Sequence, residues 1–384
     1  LSLPIDLEAD MPELWLTYGE RDVVLDIKVE NLNEFRNSKF NNIQDQDLAQ
    51  QIEITSLDNL RIFAAEGSRS VARIISIILN SARKNSISSL PIECFPEDYP
   101  LLSKTLEGET LGIVKDTDEL LNRTNDSKTV FVSTVKADPL FGFRGIPTKL
   151  LRKCSNEKMS EAFASRKTNL PNPGLCSPPL QLALDFCKNM CAQSLHVINS
   201  NFGIDSLFAG SIVESFRSGM NKIESLGSDG YYNTRSMIIC GDRDSDSHLQ
   251  LSDSLRNLWN CVHVLKNGGF GILLSENKNG LGSVALQRFT EGKLGFEDVY
   301  NNDAYLEGLE HLMFMNELRE KYRLGILSSL PHYYLDSKFG FQTFSKSRDA
   351  VAKLLELNGK THKILVISDP NLALFNFPLT DTPI

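Results

Sequence analysis

Short strand-like runs that alternate with helical periods predict an α/β protein of two domains. Each domain is expected to carry a largely parallel or mixed sheet flanked by helices, with a cleft between the two. Two observations predict this. Apolar runs of strand length, such as Leu60–Ala65 and Thr129–Thr134, are each followed by a loop and then a helical pattern. The chain is 384 residues long, and domains usually hold about 100–200 residues, so more than one core is required.

Taken in order, the most polar stretch comes first. Asn31 to Gln51 carries Asn33, Asn37, Asn41, Asn42, Gln44 and Gln46 and reads as a helix-and-loop excursion. Leu60–Ala65 is a buried strand, Glu66–Ser70 a loop, and the run from Val71 a helix buried through Ile74, Ile75, Ile77, Ile78 and Leu79. Thr129–Thr134 is a second buried strand, followed by a Gly/Pro loop from Lys136 to Pro147 and a polar helix. Gly210, Gly219, Gly227 and Gly230 loosen the stretch from 203 to 233, which places a boundary near residues 228–235 and gives domains 1–230 and 234–384.

Beyond the boundary, Met237–Cys240 leads into the loop 241–247, and Leu255, Trp259, Val262 and Leu265 mark a helix. Asn267-Gly268-Gly269 stops that helix, and the strand FGILLS follows from Phe270, completing a βαβ unit. Ser345–Leu357 is a helix closed by Asn358-Gly359, and Lys363–Ser368 a strand. The tail carries Leu372, Leu374, Phe375 and Phe377, so its last ~20 residues are expected to pack back on a domain, the first being the candidate.

Composition excludes several classes. With 41% hydrophobic and 23% charged residues the chain is neither disordered nor coiled coil. No apolar run approaches the ~20 residues of a membrane span, so no membrane partner is expected. The 49 acidic residues exceed the 40 basic ones, which argues against nucleic acid. Seven scattered cysteines point to a reducing compartment, and the acidic start (Asp6, Glu8, Asp10) does not read as a signal peptide, so the cytoplasm is expected. The oligomeric state is left open.

No H-x-x-x-H pair, G-x-S-x-G elbow or Walker A loop occurs. Cys187 and Cys191 fall on one face of a predicted helix, but with no second ligand pair they read as small buried residues. The glycine runs at 267–271 and 279–282 read as turns. The loop 66–70 lies between a strand and a helix, where free N–H groups favour an anion and Arg69 adds a two-pronged donor; Ser68 or Ser70 is equally a plain N-cap. The loop from Lys136 to Lys149 carries Asp138, Arg144 and Lys149 and suits either a site or a solvated connection.

Several of these motifs, in this order, resemble the nickel-pincer lactate racemase family. Leu16-Thr17-Tyr18-Gly19 with Val23-Val24-Leu25-Asp26 is similar to its opening hairpin, and Glu66-Gly67-Ser68-Arg69-Ser70 to its D-H-T-R-P loop. Phe141-Gly142-Phe143-Arg144-Gly145 resembles part of its F-A-G-F-S-G-G-R-K segment, and Phe208-Ala209-Gly210-Ser211 its F-A-G-D. Gly268-Gly269-Phe270-Gly271-Ile272-Leu273 resembles its G-G-T-I-I strand, and residues 350–369 its final helix and strand.

The resemblance implies two α/β domains around a cleft. In the active family a lysine-tethered nickel pincer nucleotide accepts a hydride from a 2-hydroxy acid, two histidines serve as acid and base, and an arginine with a Gln-x-x-Lys pair holds the carboxylate. Arg69, beside Ser68, matches the substrate-binding arginine, while the preceding Asp and His fall on Glu66 and Gly67. The histidine before F-A-G-F falls near Asp138, and the nickel-ligand histidine near Ala164. The cofactor lysine aligns with Thr148, one place from Lys149, in the segment that also holds Gly142, Arg144 and Gly145. Gln-x-x-Lys corresponds to Asp253 and Arg256. All six histidines follow Leu195.

These departures lead to the expectation of a divergent lactate-racemase-like protein with no metal site and no cofactor, whose interdomain cleft holds a small carboxylate or phosphate. One alternative is an active 2-hydroxy-acid racemase or epimerase, an isomerase that uses the nickel pincer nucleotide. The other is a non-catalytic, partner-binding protein that retains the fold.

Overall fold

Two six-stranded sheets organise the chain. The computed structural model describes residues 13–370 except 36–39, 53–59, 88, 127, 202, 228–232 and 302–304, together with 373 and 374. The boundary expected at 228–235 therefore falls largely outside the described residues.

The first sheet runs, in spatial order, Gly203–Ser211, Gln193–Ser200, Thr129–Thr134, Arg61–Ala64, Ile92–Cys94 and Leu111–Ile113. Its neighbours are parallel except the pair 193–200 and 203–211, so the sheet is mixed. All six residues of Thr129–Thr134 are buried, as the centre of a sheet covered on both faces requires. Helix Arg69–Lys84 covers this sheet with Val71, Ile74, Ile75, Ile78 and Leu79. Ser68 caps it by accepting a hydrogen bond from Val71 N at 3.1 Å.

The second sheet is parallel throughout, in the order Gln342–Phe344, Arg323–Leu327, Leu265–Leu274, Thr234–Ile239, Ile364–Ile367 and Leu32–Phe35. The α/β class with parallel and mixed sheets flanked by helices is thus present. Among the described residues no helix is long and apolar enough to cross a membrane.

Four local expectations are corrected. The excursion at 31–51 contains a strand, Leu32–Phe35, paired with Ile364–Ile367, as well as the helix Asp45–Gln51. Residues 13–35 therefore associate with strands from the far end of the chain, and Leu16, Leu25 and Ile27 of this segment pack with Ile238, Phe270 and Val366. Asn267-Gly268-Gly269 does not precede its strand but lies within Leu265–Leu274, where the pairing with Thr234–Ile239 shifts register. The loop from Lys136 is not solvated: Lys136–Asp138 and Gly142–Arg144 pair antiparallel, because Leu140, Phe141 and Phe143 draw it into the core. Cys191 lies beyond helix Pro178–Cys187, so it is exposed and shares no face with buried Cys187. Of the tail, Ala373 and Leu374 are described, both buried, and Leu374 lies against Gly174.

Candidate functional site

In open α/β sheets, ligands gather at the carboxyl ends of the strands. Here the carboxyl ends of both sheets meet. Glu66 follows Arg61–Ala64, Lys136 follows Thr129–Thr134, Asp242 follows Thr234–Ile239 and Asp369 follows Ile364–Ile367. Lys136, with 0% of its surface exposed, joins the two sheets by donating to Asp242 at 2.8 Å and to Glu66 at 3.0 Å. Thr134 donates from its backbone N, at 3.1 Å, and from its hydroxyl to the other Glu66 oxygen. Asp242 also accepts from Asp244 N and from the Ser245 hydroxyl, both at 2.9 Å. Burial works to neutralise these groups. The mutual charges win: Lys136 holds the carboxyls of Glu66 and Asp242 below their ordinary values, and the two carboxylates hold the lysine above its own.

The loop 66–70 has the anion-seeking geometry its position implies, and the protein's own carboxylates use it. Gly67 N donates to Asp98 at 2.8 Å. Ser70 donates from N at 2.8 Å and from Oγ at 2.7 Å to one oxygen of Asp244. Arg69 N donates to the Asp244 carbonyl at 2.8 Å, and the exposed Arg69 guanidinium donates to the carbonyl of Arg243. Ser68 and Ser245 form an isolated antiparallel bridge.

The segment 136–149 places its residues by steric need. Gly142 sits at φ +88° with Leu175 O against the position a Cβ would take, so only glycine fits. A Cβ on Gly145 would strike the Phe216 ring at 2.6 Å. The Thr148 hydroxyl closes the turn, accepting from Gly145 N at 3.1 Å and donating to Gly145 O at 3.0 Å. Lys149 is held by Glu97 at 3.0 Å and Asp98 at 3.2 Å, with the Phe95 ring centroid 5.2 Å away. Arg144 lies close enough to Glu66 and Lys136 to act on both, and its buried Nε has no hydrogen-bond partner among the described residues. Asp138 accepts from Leu140 N at 2.9 Å and Phe141 N at 2.8 Å, which makes it a turn former. The structure thus gathers Ser68, Arg69, Arg144 and Lys149 around loop 66–70, and uses Gly142, Gly145 and Thr148 as framework.

Arg256 belongs to a second polar surface. On helix Leu251–Cys261, Asp253, Arg256, Asn257 and Asn260 recur at helical spacing on one face. Arg256 donates to Asp253 at 2.8 Å, and Asn260 Nδ2 donates to Ala137 O at 3.3 Å, which ties this face to the strand carrying Lys136. Asn257 is 1% exposed, yet neither end of its amide has a partner among the described residues; nor does Asn260 Oδ1. His311 accepts from Trp259 Nε1 at 3.0 Å through Nδ1, so its proton is on Nε2, which also lacks a partner among the described residues. Burial pushes this imidazole down to about 4 against the pull of Glu310, so it is neutral at physiological pH. Neither Asn257 nor Asn260 was singled out by the sequence; the available signal was a pair of amides three apart, in helical register with Asp253 and Arg256.

The positions that the resemblance assigns to the lysine-tethered nickel group offer it neither a free amine nor a histidine ligand. Thr148 has no amine, and the Lys149 amine is engaged by two carboxylates. Ala164, at the end of helix Asn156–Ala164, offers no ligand atom. His196, buried in the first sheet, accepts from Ile146 N at 3.4 Å and contacts the Ser215 hydroxyl at 2.9 Å, so both ring nitrogens are engaged, and burial lowers it to about 3. Among the described residues no group of three or more His, Cys, Asp or Glu side chains could hold a metal ion.

Comparison with solved structures places the architecture. The lactate racemase apoprotein of Thermoanaerobacterium thermosaccharolyticum superposes with a TM-score of 0.67 at 15% identity, over 95% of this chain and 100% of that one. The fold is lactate-racemase-like. A protein from Thermotoga maritima matches with a TM-score of 0.59 at 9% identity, over 87% of this chain and 97% of that one. No protein-family model matches the chain, and no curated protein matches it.

Proposed function

We propose that this lactate-racemase-like protein works without a nickel-pincer cofactor and holds a small carboxylate or phosphate at the junction of its two sheets. The observation that carries the reading is unmet hydrogen-bonding capacity beside a cation. Asn257 presents a buried donor and a buried acceptor, and Asn260 a buried acceptor, all unpartnered among the described residues, on the helix face that carries Arg256. An unsatisfied buried polar group costs about 1–3 kcal/mol, so a polar guest that satisfies it is favoured. An oxyanion can take the Asn257 N–H and the Arg256 guanidinium together, and a carboxylic or phosphoric hydroxyl can serve the amide oxygens.

The cofactor-free part of the reading is supported by the fit of Thr148 and Lys149 just described. Proton exchange by the one histidine on the first sheet is opposed by burial, since His196 is 0% exposed. Isothermal calorimetry of the full chain with L-lactate and with inorganic phosphate tests the reading. The unmodified chain is expected to bind one of them, and Asn257→Leu to weaken that binding roughly tenfold, the equivalent of ~1.4 kcal/mol. Binding of neither ion, or interconversion of D- and L-lactate after loading with the pincer nucleotide, refutes it.

A further inference from the structure

One residue of the first sheet clasps two loops of the second. Asn201 follows the strand Gln193–Ser200. Its Nδ2 donates to Ser368 O at 2.6 Å, its backbone N donates to Asp369 Oδ2 at 3.2 Å, and its Oδ1 accepts from Arg243 N at 2.7 Å. The Cys240 thiol donates to the same Ser368 carbonyl at 3.2 Å. The loops after Thr234–Ile239 and after Ile364–Ile367 are both held to the first sheet in this way.

One member of the clasp is badly placed to carry charge. Asp369 is 6% exposed, its Oδ1 is buried without a hydrogen-bond partner among the described residues, and its Oδ2 accepts the Asn201 N–H. Asp242 and Asp244, from the loop after Thr234–Ile239, repel the ionised form. Lys136, from the segment after Thr129–Thr134, attracts it but is ion-paired with Asp242 and Glu66. The thiols of Cys240 and, on helix Leu251–Cys261, Cys261 also face it; burial holds both well above the ordinary thiol value, so both are neutral. A buried carboxyl with no cation of its own and two like charges beside it keeps its proton. Burial and then the charge of Asp242 push it up to about 8, whereas in water it ionises near pH ~4.

We propose that Asp369 is a proton-operated latch between the two sheets: protonated, it lies buried against Asn201 and the strand ends stay together; ionised, it moves out to water and the clasp opens. The latch needs no ligand and stands apart from the small-anion reading. The closed form binds a proton that the open form gives up above pH ~4, so opening rises about tenfold per pH unit from there to about pH 8. Asp244, pushed up to about 6 by burial, acts in the same direction at lower pH, so a window from pH ~6 to ~7.5 separates the two.

Hydrogen exchange of the full chain tests the latch, read as protection corrected for the intrinsic exchange rate at each pH. The reporting peptides are those that carry the Asn201 and Arg243 amides. In the unmodified chain their protection is expected to fall about thirtyfold from pH ~6 to ~7.5, while helix Ser347–Asn358 keeps its own. Asp369→Asn, nearly isosteric and unable to ionise, is expected to abolish the pH dependence, and Asp244→Asn to leave it in place. A flat profile in the unmodified chain overturns the proposal without any variant having to fold. An equal fall in helix 347–358 also overturns it, since that is global unfolding. So does a slope that survives Asp369→Asn, or one that disappears in Asp244→Asn.

Discussion

Replacing Lys136 by methionine keeps an unbranched side chain out to Cε and removes the ammonium that joins the two sheets. The ammonium lies 2.8 Å from Asp242 and 3.0 Å from Glu66, with 1% of the lysine side chain exposed. At an effective dielectric constant of about 20, each contact supplies roughly 5–6 kcal/mol of gross attraction. Desolvation of the three charged groups offsets most of this, at several kcal/mol per ion. The variant loses the attraction but keeps the buried Asp242 carboxylate and the partly exposed Glu66 carboxylate, close to Asp244 and Asp369, with Arg144 as the nearby cation. Breaking one partner out of a buried pair destabilises by about 3–5 kcal/mol, and that is the expected loss for Lys136→Met. Urea unfolding at neutral pH measures it. Because the penalty comes from stranded negative charge, a second change, Asp242→Asn, should recover part of it, giving a coupling of ~1–3 kcal/mol in the double-mutant cycle. A loss below about 1 kcal/mol, the range of an exposed ion pair, would refute the claim that this lysine bridges the sheets in a dry junction.

Two further outcomes follow from the same geometry. Burial and then the charge of Asp242 push the Asp369 carboxyl up to about 8, above its unfolded value near 4. The folded state then binds the extra proton, so its contribution is complete below pH ~4 and is lost as pH rises to about 8; Asp369→Asn should flatten the fall in stability across that window, and an unchanged urea midpoint profile would count against it. Gly142→Ala forces a side chain into a backbone at φ +88° and against Leu175 O, so a loss of more than about 2 kcal/mol is expected by thermal unfolding, and a neutral result would mean that the Gly142–Leu175 approach is looser than described.

How much of this was legible in the sequence varies by element, for physical reasons. Helix Arg69–Lys84 and its cap at Ser68 were readable because isoleucine spacing and capping are local signals. The strand Leu32–Phe35 was not: only two of its four residues are apolar, and its partner, Ile364–Ile367, lies at the other end of the chain. Asn31 helps to fix it there by donating to the carbonyls of Lys360 and His362 at 2.7 and 2.9 Å, a contact no local pattern announces. Within the site, the rule that ligands lie at strand ends pointed to the loops 66–70 and 241–247. It could not show that Ser70 would be answered by Asp244, or Glu66 by Lys136 and Lys136 by Asp242, since each pairing depends on how the two sheets pack. The histidine-free first half of the resemblance was legible as composition; the use of Thr148 and Gly145 as a turn was legible only once His196 and Phe216 were seen behind it.

The ion network at the junction is best understood together with the core beside it. One apolar cluster runs through both halves, joining Val135, Ala137 and Phe216 to Met237, Leu255 and Leu273. Apolar contact of this kind is strong but has little direction, so on its own it would tolerate small rotations of one sheet on the other. Hydrogen-bonded charges do not, because a shift of about 1 Å strands a buried donor or carboxylate. Lys136 between Glu66 and Asp242, Ser70 on Asp244, and Asn201 on Asp369 at 3.2 Å therefore fix the angle at which the strand ends meet. An apolar triad in place of Glu66, Lys136 and Asp242 could be as stable or more so, while leaving the sheets free to settle at several angles. The alignment of Asn257 and Asn260 with the strand at Ala137 depends on that angle through the 3.3 Å bond from Asn260. In this fold the buried charges thus contribute less to stability than to fixing the angle at which the two sheets meet.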